Sequence, residues 1–270
     1  MKSIKYNNLI QYLKELESVV VAFSGGVDST FLLKACEEAL GRNAVAVTIV
    51  SPFIPKWEIT EAKELIEDMD TKHEFIEVSL DQAIKFNPED RCYLCKKGIF
   101  STIKNYAKEN GLKYVLDGTN LDDTKDYRPG IKALRELQIK SPLLENELTK
   151  SEIRELSKEL NLPTWDKPAY ACLLSRLTYG SEIKDEELIR IEKSEVYMMT
   201  LGFREVRVRS HGDLARIEVN RNKRKSLFDE VLFDKISSKL KEFGFKYVTL
   251  DLQGYRVGSL NETINDLDKK

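Results

Sequence analysis

The 270-residue sequence contains few of the features that mark secreted, membrane or strongly charged proteins. Four cysteines are too few for a disulfide framework in a chain of this length. No run of about eighteen apolar residues is present, and the N-terminus has no apolar signal segment. Lys and Arg number 43 against 45 Asp and Glu, a formal net charge of −2, which argues against a general nucleic-acid coat. We therefore expect a globular cytoplasmic protein with no membrane or nucleic-acid partner.

Strand and helix patterns alternate through the first half of the chain, which is typical of a parallel sheet covered by helices. Short apolar runs predict four strands in this half, at 19–23, 44–50, 73–78 and 114–117. Helical periodicity predicts helices at 29–40, 58–69, 96–110 and 151–160. Later segments predict a helix, two strands, a helix and a strand, at 185–201, 205–209, 214–219, 225–243 and 246–251. We predict an α/β fold, with a parallel-sheet domain over residues 1–166 and a smaller C-terminal α+β domain over residues 167–270.

A turn rich in serine and glycine follows the first predicted strand and opens a helix; its sequence is Ser24-Gly25-Gly26-Val27-Asp28-Ser29. Backbone N–H groups at such a turn form an anion site with the helix N-terminus, and glycine lets the backbone approach a phosphate closely. Neither the lysine of a Walker P-loop nor the GxGxxG pattern of a dinucleotide site is present. The sequence therefore predicts a phosphate site of another class, with a purely structural tight turn as the alternative.

Three of the four cysteines lie in segments where chemistry is plausible. Cys92 and Cys95 form a C-x-x-C pair directly before a predicted helix, and Cys172 lies in an irregular segment near the predicted domain boundary. Cys36 lies on the apolar face of a predicted helix, so we interpret it as part of the core. Three thiolates can hold a metal cluster that keeps one position open. The alternatives are a redox pair, or half of a zinc site completed by His73 or His211.

Two charged segments are candidates for ligand binding. The segment D-G-T-N-L-D-D follows a predicted strand end, so its polar residues Asp117, Asn120 and Asp123 can bind a nucleotide cofactor or its Mg²⁺; a polar cap is the alternative. Arg207 and Arg209 are two residues apart on a predicted strand and so face the same side, which suits a phosphate. A solvated basic face is the alternative there. A weaker phosphate candidate is Arg128.

These motifs resemble the PP-loop ATP pyrophosphatase superfamily and, within it, the LarE-type ATP-dependent sulfur transferases. The resemblance covers nearly the whole chain and rests on S-G-G-V-D-S at 24–29, R-C-Y-x-C-K at 91–96, D-G-T-N-x-D-D at 117–123, A-C-L-x-S-R at 171–176, R-V-R-S-H-G-D at 207–213 and D-L-x-G-Y-R-x-G-S at 251–259. Members of this family thiolate a nicotinic-acid-derived nucleotide on the way to the nickel-pincer cofactor of lactate racemase. The resemblance implies an enzyme that adenylates a carboxylate of pyridinium-3,5-biscarboxylic acid mononucleotide and replaces it with a thiocarboxylate.

The resemblance also implies roles for the candidate residues. ATP would be cut between its α- and β-phosphates, with Mg²⁺ as counter-ion and pyrophosphate held by Ser24, Gly25, Gly26, Asp28 and Ser29. Lys96 would lie close to the adenylated carboxylate, and the substrate phosphate would be bound by Arg207, Arg209 and Arg256. The catalytic residues would thus be Asp28, Lys96 and Cys172.

The cysteines bear on the source of the sulfur. In the family's sacrificial type, the residue matching Cys172 gives up its own sulfur and becomes dehydroalanine. Members with all three cysteines, here Cys92, Cys95 and Cys172, are similar to a second type that holds a [4Fe-4S] cluster and passes on a sulfide bound to the open iron. We therefore expect ATP, Mg²⁺ and a [4Fe-4S] cluster as cofactors, sulfide or another sulfur donor as co-substrate, and a homo-oligomer.

Two rival functions stay open at this point. A tRNA-thiolating enzyme also combines a PP-loop with cysteines, although the basic charge here is local and no RNA-binding module is evident. A non-catalytic ATP-binding sensor could use the same cysteines to report iron or redox state. Conversion of ATP to AMP and pyrophosphate with a carboxylated nucleotide would distinguish the expected enzyme from both.

Overall fold

The structure, a computed structural model, describes residues 4–67, 69–125, 129–168 and 170–256. These residues fall into two compact units, one within residues 1–83 and 90–170 and the other within residues 84–89 and 171–270. The helices are α1 Ile4–Glu15, α2 Val27–Leu40, α3 Lys56–Glu67, α4 Arg91–Glu109, α5 Gly130–Glu136, α6 Pro142–Glu145, α7 Lys150–Glu159, α8 Asp185–Thr200 and α9 Glu230–Glu242. The strands are β1 Val19–Ala22, β2 Ala44–Val50, β3 Lys72–Glu77, β4 Tyr114–Leu116, β5 Val206–His211, β6 Leu214–Val219 and β7 Tyr247–Leu250. None of the helices in the described ranges is both long and apolar enough to cross a membrane.

The first unit is built on a parallel four-stranded sheet in the order β3-β2-β1-β4. β1 is an interior strand because its side chains are apolar on both faces, and Val19, Val20 and Val21 are all fully buried. Val19 pairs with Ala44 of β2 on one side and with Tyr114 of β4 on the other. The predicted α/β class is therefore confirmed. Because the strand order reverses between β1 and β4, the carboxyl ends of these two strands border the crevice where open α/β sheets bind ligands.

Helices cover both faces of this sheet and fix its loops. Val19 and Val21 pack into the apolar core on one face, which also contains Phe31 of α2. Val20 points to the opposite face and packs into a second core that contains Phe100 of α4. The loops that follow β1 and β4 are thus attached to a strand pair that is packed on both sides.

The second unit contains a three-stranded sheet in the order β5-β6-β7, in which β5 and β6 are antiparallel and β6 and β7 are parallel. The segment 84–89 belongs to this unit: the Asn87 carbonyl accepts from the Gly180 N–H (3.1 Å), and the Asn87 amide group donates to the Thr178 carbonyl (2.8 Å). That residues 84–89 pack with the second unit was not predicted, because the segment carries no local signal for a partner that is distant along the chain. The predicted domain boundary between residues 166 and 167 stays a prediction.

Some element positions in the structure differ from the predictions. α9 begins at Glu230 and not near residue 225, because the Asp229 side chain accepts from the Leu232 N–H (2.7 Å) and caps the helix there. The residues before it form a separate 3₁₀ segment, Arg221–Leu227. α5 and α6 were not predicted, because they are too short to show a clear helical period.

Candidate active site

The serine- and glycine-rich loop leaves the carboxyl end of β1 and leads into α2. Gly25 has φ +66°, and a Cβ at this position would lie 3.1 Å from the Cα of Ala62 on α3. Glycine is therefore required here both by backbone conformation and by space. Gly26 is the N-cap residue of α2 and supplies no side-chain cap. The first N–H groups of α2 can thus be satisfied by a bound anion.

Two serine hydroxyl groups hold this loop in shape. Ser29 Oγ accepts from the Ser24 N–H (3.2 Å) and lies 3.1 Å from Ser24 Oγ. Ser24 Oγ in turn accepts from the Gly26 N–H (3.4 Å). The hydroxyl groups and the helix N-terminus therefore lie in one small region. That this region binds pyrophosphate stays a prediction.

The loop after β4 meets the loop after β1, because the two strands are neighbours in the sheet. A Cβ at Gly118 would lie 3.2 Å from Asp28 Cβ and 3.3 Å from the backbone nitrogen of Ser29. Asn120 Nδ2 donates to Asp28 Oδ1 (3.2 Å), and the Asn120 N–H donates to Asp123 Oδ2 (3.0 Å). The structure thus brings Asp28, Asn120 and Asp123 together at the carboxyl edge of the sheet.

Asp117 directly follows β4, is only 4% exposed and accepts hydrogen bonds from within the protein. Its Oδ1 accepts from Ser141 Oγ (2.5 Å), and its Oδ2 accepts from the Thr119 hydroxyl. Lys96 Nζ lies 3.8 Å from the same Oδ2. The aliphatic part of Lys96 passes so close to Gly130 that a Cβ there would lie 2.6 Å from Lys96 Cδ. Asp117 and Gly130 therefore set the position of the Lys96 ammonium group.

Two lysines that the sequence analysis did not select also reach the loop after β1. Lys150, the first residue of α7, places Nζ 2.5 Å from Asp28 Oδ2. Lys167 places Nζ 2.9 Å from the carbonyl oxygen of Gly25. Both residues are far from the loop in sequence. The local pattern T-K-S-E at 149–152 predicts the start of a helix through its capping box, but it carries no information about what lies opposite that start.

The C-x-x-C pair lies inside a helix and not in front of one. α4 begins at Arg91 instead of near Lys96, because no helix-breaking residue lies between these two positions. Cys92 is exposed and Cys95 is partly exposed, and their spacing of three residues places them on the same side of α4. Cys36 is fully buried in the apolar core, where burial raises the pKa of its thiol, so its interpretation as a core residue is confirmed.

Cys172 belongs to the second unit, where it is partly exposed and precedes the 3₁₀ turn Leu173–Arg176. Within the described ranges, no group of three or more His, Cys, Asp or Glu side chains is arranged to hold a metal ion. His73, considered above as a zinc ligand, places Nε2 2.8 Å from Thr48 Oγ1 on the neighbouring strand. The cluster with three thiol ligands stays a prediction.

Arg176 holds the turn that carries Cys172, and its side chain is only 1% exposed. Its Nη1 donates to the carbonyl oxygens of Ala171 (2.5 Å) and Cys172 (3.0 Å). Its Nε and Nη2 donate to the two carboxylate oxygens of Glu195 on α8, each across 2.9 Å. A bidentate pair of this kind fixes orientation as well as charge. Sequence reasoning missed Glu195, because a single glutamate on an amphipathic helix normally faces solvent.

Arg207 and Arg209 both lie on β5 and are buried, so they do not form the solvated basic face considered as the alternative. Arg209 Nε and Nη2 donate to the two carboxylate oxygens of Glu218 on β6, across 3.0 and 2.8 Å. The Arg207 guanidinium lies 4.9 Å from the ring centre of Tyr255. Burial, together with the Arg176 guanidinium, lowers the pKa of Arg207. An anion bound beside Arg207 would relieve this penalty.

The last motif of the sequence forms a turn beside β6. Gly254 has φ +75°, and a Cβ there would lie 2.6 Å from the carbonyl oxygen of Val219, so the turn that presents Tyr255 requires glycine. Arg256 Nη1 donates to the Gly254 carbonyl (3.1 Å) and lies 3.7 Å from Asp251 Oδ1. The predicted phosphate candidate Arg128 and the end of this motif, residues 257–259, lie outside the described residues.

Comparison with known proteins agrees with these observations. A family model described as NAD synthase matches residues 4–110. An uncharacterized protein of Synechocystis sp. is 42% identical over 98% of this chain and 99% of its own length. The pyridinium-3,5-bisthiocarboxylic acid mononucleotide synthase of Lactiplantibacillus plantarum is 38% identical over 96% of this chain and 95% of its own length. An uncharacterized protein of Methanocaldococcus jannaschii is 32% identical over 94% of this chain and 97% of its own length.

The parallel sheet, the loop after β1 and the matched family model define an ATP-using domain of the PP-loop class. Similarity to the L. plantarum synthase extends through both units and over nearly the full length of both chains. The chain belongs to the LarE-type family of ATP-dependent sulfur transferases. The predicted family and the predicted enzyme class are therefore confirmed.

Proposed function

We propose that this enzyme converts a carboxylate of pyridinium-3,5-biscarboxylic acid mononucleotide to a thiocarboxylate, as a step in the synthesis of a nickel-pincer nucleotide. The name of the L. plantarum relative, a synthase of the bisthiocarboxylic acid mononucleotide, supports this product. The structural observation that carries the proposal is the close meeting of the loops after β1 and β4 at Gly118. Backbone N–H groups, two hydroxyl groups and a carboxylate lie together there, and these groups suit pyrophosphate and its metal ion.

The proposed reaction has two steps. A substrate carboxylate oxygen attacks the α-phosphorus of ATP, the bond from that phosphorus to the bridging oxygen breaks, and pyrophosphate leaves. A sulfur nucleophile then attacks the carbonyl carbon of the acyl adenylate, and AMP leaves with the oxygen that made the first bond. Adenylation supplies the leaving group that a free carboxylate lacks. The protein's contribution is positioning and charge neutralisation.

The residues of the first unit support the adenylation step. The loop 24–29 would bind pyrophosphate through its backbone N–H and hydroxyl groups. Asp28 would bind Mg²⁺, which when bound neutralises phosphate charge, and Asn120 donates a hydrogen bond to this carboxylate. Lys96 would balance charge on the reacting carboxylate. Asp117 acts as a positioning residue, because it accepts from two hydroxyl groups and faces the Lys96 ammonium group.

The residues of the second unit support binding of the substrate phosphate. We assign Arg207 as the main contact, with Arg209 and Arg256 as supporting charges. The neighbouring charged groups that influence the pKa of Arg207 include Arg176, Arg209 and Glu195. Arg176 and Arg209 are each paired bidentately with a buried glutamate, Glu195 and Glu218 respectively. A phosphate monoester is the anion that the proposed substrate carries.

We further propose that the sulfur is delivered through a [4Fe-4S] cluster held by Cys92, Cys95 and Cys172. The exposure of all three thiols and the common side of α4 shared by two of them fit this role. When bound, such a cluster supplies an iron with an open position for a sulfur nucleophile. The sacrificial alternative requires Cys172 alone.

Turnover under anaerobic conditions tests this proposal. Protein supplied with ATP, Mg²⁺, the dicarboxylated nucleotide and sulfide should form AMP, pyrophosphate and thiocarboxylate in equal amounts, over repeated turnovers. Cys92→Ser should lower both the iron content and sulfur transfer, and mass spectrometry should find Cys172 intact. Dehydroalanine at position 172 after one turnover without iron would overturn the cluster and support the sacrificial route. No formation of AMP with any carboxylated nucleotide would overturn the proposed reaction itself.

A further inference from the structure

The loop that is proposed to receive pyrophosphate contains no cationic side chain. Its residues 24–29 supply backbone N–H groups, two hydroxyl groups and one carboxylate. Pyrophosphate carries several negative charges, and the partial charge of one helix N-terminus, equivalent to about half an elementary charge, neutralises only a small part of them. In Walker-type loops a lysine within the motif supplies the missing charge. A cation for this loop must therefore come from another segment of the chain.

Lys150 reaches the loop from the start of α7. The capping box formed by Thr149 and Glu152 fixes this helix start, since Glu152 N donates to Thr149 Oγ1 (3.3 Å) and Thr149 N donates to Glu152 Oε2 (2.8 Å). The backbone N–H of Lys150 donates to Asp122 Oδ2 (2.8 Å), in the loop after β4. Its Nζ lies 2.5 Å from Asp28 Oδ2, and its side chain keeps 30% of its surface exposed. Lys150 is thus held at its backbone but open to solvent at its ammonium group.

Lys167 reaches the same loop in a different way. Its Nζ lies 2.6 Å from Glu61 Oε2 on α3 and 2.9 Å from the Gly25 carbonyl oxygen, and its side chain is only 13% exposed. Its charge is therefore balanced by a carboxylate that belongs to neither loop, and it ties the PP-loop to α3. Lys150 differs because its partner is Asp28, the same carboxylate that is placed to bind the metal.

We propose that Lys150 is the cationic pyrophosphate ligand of this site, and that Asp28 holds it in the nucleotide-free protein. This inference rests on the proposed ATP-dependent function and adds a residue to its adenylation step. Asp28 cannot pair fully with Lys150 and with a metal ion at the same time. When metal-bound pyrophosphate binds, the metal ion therefore replaces Lys150 as the partner of Asp28. The Lys150 ammonium group then turns from the carboxylate to the anion beside it. No covalent bond is made or broken in this exchange: Asp28 trades its ion pair with Lys150 for contact with the metal ion, and the Lys150 ammonium group pairs with the anion.

Binding measurements without any acceptor substrate test this inference. Calorimetry with Mg²⁺-pyrophosphate and, separately, with AMP would compare wild type, Lys150→Gln, Lys150→Arg and Lys158→Gln. Lys158 is the matched control, because it is an exposed lysine on the same helix whose Nζ lies over the Trp165 ring, 4.8 Å from its centre. Lys150→Gln should weaken pyrophosphate binding by at least about tenfold, the loss typical of a charged hydrogen bond. AMP binding by Lys150→Gln, and both affinities of Lys158→Gln, should stay within about twofold of wild type.

A second readout separates this role from a structural one. Mn²⁺, a paramagnetic substitute for Mg²⁺, should bind nucleotide-free Lys150→Gln about threefold or more tightly than wild type, because the cation competing for Asp28 is gone. If Lys150 had only a structural role, its replacement would weaken the binding of pyrophosphate and of Mn²⁺ together. Lys150→Arg should restore pyrophosphate binding at least in part.

The possible failures can be distinguished. Wild-type protein that binds neither ATP nor pyrophosphate would overturn the ATP-dependent function, and this inference with it. Tight pyrophosphate binding by wild type that Lys150→Gln matches would overturn the role of Lys150 alone. Unchanged or weaker Mn²⁺ binding by Lys150→Gln would overturn the exchange at Asp28.

Discussion

Two regions of this protein are proposed to bind anions, and they are built in opposite ways. The loop after β1 uses backbone N–H groups, two serine hydroxyl groups and glycines, and its one carboxylate, Asp28, is met by a lysine from another segment. The region around Arg207 uses buried side-chain charges, in which Arg176 and Arg209 are each held bidentately by a glutamate. The first region takes its shape from local conformation, whereas the second depends on ion pairs between separate elements.

This contrast predicts different consequences for substitution. Removing a charge from the loop should reduce ligand binding and leave stability nearly unchanged, because the loop's shape does not depend on that charge. Removing a charge from the arginine region should reduce the free energy of unfolding more than it changes ligand binding, because a buried partner is left without its counter-ion.

Arg176→Leu should have the largest effect on stability. It leaves Glu195 buried without its bidentate partner and removes one hydrogen bond each from the carbonyl oxygens of Ala171 and Cys172, so we expect the free energy of unfolding to fall by about 3–5 kcal/mol. This loss should appear as faster hydrogen exchange of the β5 and β6 amides. Tryptophan fluorescence is not suitable for this measurement, because both tryptophans of the chain, Trp57 and Trp165, lie in the first unit. Arg221→Leu, at an exposed arginine of the same unit, is the control and should change stability by less than about 0.5 kcal/mol. Equal exchange rates in both variants would contradict the structural role of the buried pair.

Asp28→Asn should reduce activity and leave stability nearly unchanged, the reverse of Arg176→Leu. We expect AMP formation to fall by about 100-fold or more, since a charge at the phosphate and metal site is lost. Unfolding in urea should shift by less than about 1 kcal/mol, because Asp28 is partly exposed and the substitution removes no volume. Wild-type AMP formation by this variant would remove the loop from the proposed mechanism.

Gly25→Ala tests whether the local conformation of the loop is needed for anion binding, and Gly111→Ala is the matched control. Gly25 and Gly111 have nearly equal positive φ angles, +66° and +68°, but a Cβ would meet Ala62 at Gly25 and would meet nothing within 4 Å at Gly111. In both alanine variants the free energy of unfolding should fall by about 1–2 kcal/mol through backbone strain. Only Gly25→Ala should also weaken pyrophosphate binding, as measured by calorimetry. Equal binding by the two variants would show that the loop's shape is not what binds the anion.

The two histidines, one in each unit, differ in what lowers their pKa values. Burial lowers the pKa of His73 to about 4, whereas the pKa of His211 is lowered by burial and by the nearby Arg216 and Arg209. Because salt screens charges but not burial, added NaCl should raise the pKa of His211 and leave that of His73 nearly constant. Proton NMR can follow both, since the chain contains only these two histidines. A larger salt response at His73 would contradict this assignment of causes.

The lowered pKa of His73 predicts that stability depends on pH. His73 binds a proton more weakly in the folded protein than in the unfolded chain, whose histidine pKa is near 6.5. Its contribution to stability is therefore complete above pH 6.5 and is lost as the pH falls toward 4. Urea unfolding of His73→Asn should consequently depend less on pH than that of wild type over this range. An equal dependence in both proteins would show that His73 keeps an ordinary pKa.

The parts that could be predicted from the sequence are those that depend on neighbouring residues. The strand at 19–22 followed by a glycine loop and a helix is a local pattern, and the order of strands and helices gives the α/β class. Lys150 and Glu195 could not be predicted, because each acts across more than a dozen residues on a partner in another element. The helix α4 was predicted to start near Lys96, directly after the C-x-x-C pair, whereas it begins at Arg91 and includes both cysteines.

If a substrate carboxylate attacks ATP before sulfur is transferred, one of its oxygen atoms must end in AMP, and oxygen labelling detects that transfer directly. The dicarboxylated nucleotide would be prepared with ¹⁸O in its carboxylates and turned over with ATP and a sulfur source, and the AMP would be analysed by mass spectrometry. We expect one ¹⁸O atom in the phosphate of each AMP released, since the attacking oxygen leaves with the adenylate. Thiocarboxylate formed with unlabelled AMP, or with ADP in place of AMP, would contradict it.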